Sequence, residues 1–294
     1  MIQAQSLTLD ICDSIPSNLY DQDLSSLSIT NGQGYCHSFN KILDKRIRKF
    51  KSLKQLSYND QDFYSRGQLH LPKEICKLKR LETLYTNSII PEIFELRNLK
   101  VLGLNLSNDT AGVAYKKGFE DFTELEELQL AFSQVPVTYK LDGIASLSKL
   151  RKVTLHNPNQ NVIDEVLANP NITHLIIQHS KGKSYDFSKL KELTTLSLTF
   201  CDIISIPKSV FGLSKLDTLN LTYNKISIVS QDIGKLKNLK SLSLSHNTLY
   251  SISSGIGECK ELEVLGLDYN HSLSLLPKEI GKLKSLREIK ANNC

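Results

Sequence analysis

Between residues 193 and 294 the sequence repeats itself. Leu193-x-x-Leu196-x-Leu198-x-x-Cys201 recurs as Leu216-x-x-Leu219-x-Leu221-x-x-Asn224 and as Leu239-x-x-Leu242-x-Leu244-x-x-Asn247. It recurs again as Leu262-x-x-Leu265-x-Leu267-x-x-Asn270 and, with weaker residues, as Leu286-x-x-Ile289-x-Ala291-x-x-Cys294. The first leucines stand at 193, 216, 239, 262 and 286, steps of 23, 23, 23 and 24 residues. Chance does not set four such steps. A length of 294 residues would ordinarily suggest two domains. A repeat overrides that expectation, because stacked repeats lengthen a molecule without enlarging one core.

Each Leu-x-Leu alternates with period two, so it is read as a strand with leucines on one face and variable residues on the other. A single strand cannot bury its leucines. Stacked strands make a continuous core, each buried leucine contributing roughly 1.5–3 kcal/mol. Looser copies are traced through Leu24-Leu27, Leu53-Leu56, Leu81-Leu84, Leu99-Leu102, Leu125-Leu128, Leu150-Val153 and Ile172-Leu175. The expectation is about twelve turns covering nearly the whole chain.

The pattern resembles the leucine-rich-repeat family, in the 23-residue form of intracellular Ras-group and many bacterial members. The second half of the repeat agrees: Leu275-Leu276-Pro277-Lys278-Glu279-Ile280-Gly281-Lys282-Leu283 matches the family's L-P-x-x-I-G-x-L segment, and Leu71-Pro72 and Ile206-Pro207 open weaker versions. The resemblance implies an α/β solenoid, a horseshoe with a parallel sheet on its concave side and short helices or 3-10 turns on its convex side. It also implies an inward-turned Asn at the ninth position that bonds loop backbone of its own and adjacent turns. Asn224, Asn247 and Asn270 fill that column; Ser133, Ser180, Cys201 and Cys294 replace it, and Ile89 and Pro158 depart from it.

One domain is expected over 1–294: a capping region at 1–23, irregular repeats at 24–190 and regular repeats at 191–294. The spacing at His37–Phe50 predicts an amphipathic helix, and Tyr58–His70 and Asn105–Glu120 read as polar insertions. The chain stops in the turn after its last strand with no polar cap. Solenoids need caps, so either the natural protein continues or this end meets another chain, including a second copy.

Little catalytic chemistry is visible. Gly182-Lys183-Ser184 lacks the glycine five residues earlier that a phosphate loop requires; Ile177 stands there. Gly32-Gln33-Gly34 lacks the third glycine of a dinucleotide fingerprint and reads as a turn. His174 sits mid-strand and His179 at the strand exit, so they read as exposed histidines and not as a metal pair. No enzyme, cofactor or metal is expected. Cysteines at 12, 36, 76, 201, 259 and 294 each fall in a different turn, which favours free thiols and a cytoplasmic setting over a disulfide framework. No secretory leader or membrane span is read. A net charge of +5 is dispersed and does not argue for nucleic acid.

That leaves a binding surface. The variable residues of the later strands form a floor of small polar groups, among them Thr199, Asn220, Thr222, Ser243 and Ser245. The position before the Asn column runs Phe132, Asn157, His179, Phe200, Tyr223, His246 and Tyr269 in consecutive turns. Strands about 4.8 Å apart would align these rings as a ridge along the concave rim. It is read as a partner-binding surface, against the plainer reading that the rings only shield the sheet edge. Lysines such as Lys208, Lys215, Lys235, Lys237 and Lys278 fall in the opposite half-repeats and read as a solvated convex face. The function read from this is protein binding on the concave face. The alternatives are a regulatory subunit holding a phosphatase or small GTPase, and a bacterial surface or secreted adhesin.

Overall fold

A computed structural model describes residues 5–10, 15–30, 43–59, 71–87, 89–106, 118–132 and 141–294. The chain forms two compact units, 1–150 and 151–294.

The first unit stacks six parallel strands in chain order: β1 (Gln5–Asp10), β2 (Leu24–Thr30), β3 (Gln55–Asn59), β4 (Thr83–Thr86), β5 (Val101–Leu106) and β6 (Glu127–Phe132). The repeat leucines stand side by side, Leu27 opposite Leu56, Leu56 opposite Leu84, Leu84 opposite Leu102 and Leu102 opposite Leu128. Parallel strands need a return crossover. Among the described residues it contains a 3-10 turn, as at Lys73–Lys77 and Pro91–Glu95, where Pro91 opens the turn at no cost in hydrogen bonds. Behind the strands Phe94, Phe119 and Phe122 pack together, with ring centroids 5.4–6.0 Å apart.

Two expectations change here. The segment read as a cap contains β1, a further strand of the same sheet, because Leu7 and Leu9 alternate with Ser6 and Thr8 and pair in register with β2. The long helix expected at His37–Phe50 is, over its described part, one 3-10 turn at Lys45–Lys49 capped by Asp44. Its apolar residues Ile47 and Phe50 are buried by the stack. Residues 37–42, the Gly32-Gln33-Gly34 turn, Ser133, Cys12 and Cys36 lie outside the described residues, as do 60–70 and 107–117 of the two polar insertions. β3 and β5 run on into those insertions as far as Asn59 and Leu106.

The second unit stacks seven parallel strands: β7 (Lys152–His156), β8 (His174–Gln178), β9 (Thr195–Thr199), β10 (Thr218–Asn220), β12 (Ser241–Ser243), β14 (Val264–Gly266) and β15 (Glu288–Lys290). β11 (Ile228–Val229) and β13 (Ser251–Ile252) pair separately on the return path. Leu196, Leu219, Leu242, Leu265 and Ile289 stand in one register row, as the repeat spacing requires. One crossover is a true α-helix, α1 (Gln160–Leu167), whose N-cap Asn159 accepts a bond from Val162 N–H at 3.0 Å.

The ninth-position asparagines bind turn to turn. The Asn224 amide donates to Leu198 and Leu221 carbonyls at 2.7 and 2.9 Å, and its oxygen accepts from the Cys201 and Ile203 amides of the preceding turn. Asn247 repeats this with Leu221, Leu244 and Ile226, and Asn270 with Leu244, Leu267 and Leu249. Each side chain thus satisfies buried backbone that a three-residue strand leaves orphaned.

Leu219 is fully buried, whereas Thr222 is partly exposed. Leu219→Ala should therefore destabilise the protein by about 2–5 kcal/mol through lost burial and a cavity. Thr222→Ala, which loses bonds near the surface, should cost about 1 kcal/mol or less. Urea melts of the two variants check the repeat frame directly; equal losses would overturn it.

Candidate functional site

In a strand that stays extended, positions four, six and eight of the repeat all face the core. The second unit breaks this alternation at position eight. Asn157, His179, Phe200, Tyr223, His246, Tyr269 and Asn293 all adopt left-handed backbone, with φ between 51° and 58°. Such a φ costs a bulky residue of order 1–2 kcal/mol. The turn swings position eight outward and lets position nine, the Asn column, face in. The sheet ladder continues through it: His179, Phe200, Tyr223, His246 and Tyr269 each donate their amide to the next turn at 2.8–3.1 Å.

The outward rings meet face to face. His179 and Phe200 stack with centroids 4.6 Å apart and planes 5° apart; Phe200 and Tyr223 follow at 4.4 Å and 10°. Tyr223 and His246 stack at 4.1 Å, and His246 and Tyr269 at 4.2 Å, both at 14°. His156 adds a tilted ring at 4.7 Å from His179. Parallel pairs of this kind contribute about 0.5–1.5 kcal/mol each beyond area burial, enough to offset the left-handed backbone. The ring faces are spent on one another, so the ladder offers solvent its edges, hydroxyls and imidazole nitrogens. Phe200, Tyr223 and Tyr269 remain 37–44% exposed.

Beside the ladder lies the polar floor. Asn220 Oδ1 accepts from the Thr222 amide at 3.0 Å and from the Thr222 hydroxyl at 2.6 Å, and the Thr222 and Ser243 hydroxyls are 2.8 Å apart. Ser245 is half-exposed next to them. Thr199 does not belong to the accessible floor. It is only 7% exposed, a small side chain in register with the longer Gln178 of β8.

Phe132 also leaves the site. It ends β6 without a left-handed residue, so the alternation simply continues and its ring points into the core, 4% exposed. Leu106 does the same at the end of β5. Gly182 has a φ of 66° in an open turn, and the Ser184 amide and carbonyl both bond the Gln160 side chain. That segment is an exit turn tied to α1, not a phosphate cradle. Among the described residues no group of three His, Cys, Asp or Glu side chains is placed to hold a metal, and no helix is long and apolar enough to cross a membrane.

The comparisons agree with this geometry. Residues 191–249 match the family described as leucine rich repeat. A leucine-rich-repeat protein of Leptospira interrogans superposes with a TM-score of 0.61 at 26% identity, covering 96% of this chain and 76% of the other. The chain has the leucine-rich-repeat fold. An internalin of Listeria monocytogenes shares the fold at 21% identity and a TM-score of 0.55, over 91% of this chain and 78% of the other. A plant peptide hormone receptor, solved in complex with RGF2, does so at 19% identity and a TM-score of 0.58. This chain is 99% covered there and spans 50% of the receptor chain. No curated protein sequence matches.

In this chain the repeat frame alone does not find His156. It stands at position seven, yet it joins the ladder because the left-handed residue of its turn is Asn157, which has no ring. Exposed Ile204, Ile228 and Tyr250, on the return path just past the ladder, were also invisible to a frame that sorts only the strand positions.

Burial lowers the pKa of His156 below the usual imidazole range. The neighbouring His179 charge adds to this, against a hydrogen bond to Gln178 that opposes it. The unfolded chain, with an ordinary histidine near 6.5, therefore takes up the proton first as pH falls. The stabilising contribution is complete above about pH 6.5 and is lost as pH drops through the window below it. Thermal melts from pH 8 to pH 5 should show a smaller fall in midpoint for His156→Asn than for the parent protein. Equal falls would show that this ring is not held neutral.

Proposed function

We propose that the protein is a protein-binding module and that the outward face of its second unit is the contact surface. Leucine-rich-repeat folds commonly mediate protein–protein interaction. The observation that carries this reading is the ladder itself, five rings in unbroken parallel stacks, exposed at their edges and fixed by left-handed backbone. Rings already locked in place lose little freedom on binding, so they suit interface anchors. The hydroxyl floor beside them is already internally bonded and adds hydrogen-bonding groups that can adapt. Seven strands at about 4.8 Å give a face roughly 29 Å long, in keeping with a standard contact of about 800 Å² per partner.

The lysines of the return path support the choice of face by their occupation. Lys215, Lys235 and Lys237 are paired with Glu192, Asp232 and Glu258 at 2.6, 2.7 and 3.4 Å. Exposed pairs of this kind contribute about 0–1 kcal/mol and leave little unbalanced charge. Cys76, Cys201 and Cys259 are free thiols, in keeping with the cytoplasmic setting read from the sequence.

Tyr223→Ala combined with Tyr269→Ala should abolish affinity capture of the bound partner while leaving a cooperative circular-dichroism melt, its midpoint lowered by the loss of three ring stacks of about 0.5–1.5 kcal/mol each. Lys235→Glu combined with Lys237→Glu should leave capture nearly unchanged at physiological salt. Loss of capture with the lysine pair and its retention with the tyrosine pair would move the site to the opposite face.

A further inference from the structure

We draw no further inference here: the strongest candidate, the exposed apolar band of Ile204, Ile228, Tyr250 and Leu275 on the return path beside the ring ladder of the second unit, carries nothing because no feature of the structure shows what covers it.

Discussion

A residue with φ near +55° closes each strand of the second unit from β7 to β15, and the placement of nearly every side chain around it follows from that turn. Without it, position eight would be a core position and position nine would face solvent. With it, position eight faces out, as a ring from His179 to Tyr269, and position nine faces in, as an asparagine whose amide reaches two carbonyls at Asn224, Asn247 and Asn270. One local backbone choice thus creates both the polar ladder inside and the aromatic ladder outside. β5 and β6 show the alternative on similar sequence: the strands run longer, and Leu106 and Phe132 turn inward.

The left-handed turn is not stable by itself for Phe, Tyr or His. It persists because three interactions between adjacent turns converge on it. The amide of the turn residue bonds the next strand, the following asparagine bonds backbone on both sides, and the ring stacks on the rings above and below. Each is modest alone. Together they over-determine the conformation, which is the condition for keeping a strained backbone in a native structure. Cys201 shows the arrangement tolerating a gap: with no amide of its own, its turn is held by Asn224 Oδ1 from the next turn, and its thiol bonds the Thr199 and Ile177 carbonyls.

What the sequence makes legible is whatever the period controls. Leu219 and its row could be placed before any coordinates because a strand alternates and the repeat length fixes the register. Tyr223, His246 and Tyr269 were found for the same reason, since each stands immediately before an asparagine. The failures fall where a second variable decides. Phe132 has the right spacing, but spacing does not encode φ. Thr199 has the right face, but face alone does not set exposure, and its side chain is buried. The helix expected at His37–Phe50 shows a turn where described because burial of Ile47 and Phe50 against neighbouring turns outweighs local periodicity. His156 joined the ladder one position early because Asn157 has the backbone but not the ring.

Positions eight and nine are adjacent in sequence and face opposite ways, and this separates recognition from folding. A change at Asn247 would strand the Leu221 and Leu244 carbonyls and the Ile226 amide in a buried layer, and each such loss costs about 1–3 kcal/mol. A change at His246 removes two ring stacks at the surface and leaves those bonds intact. Where the core column holds asparagine the residue type is therefore tightly constrained, while the ring column can vary in charge, hydroxyl content and size from turn to turn. The protein carries that variation in graded form: imidazoles beside lysine at the β7–β8 end, phenol and phenyl rings beside hydroxyls in the middle, carboxylates near Tyr269 at the other end. A uniform solenoid would present a uniform face and discriminate poorly. Varying one outward column over an inward one that stays with the core gives each stretch of the face its own chemistry without disturbing the stack that holds it.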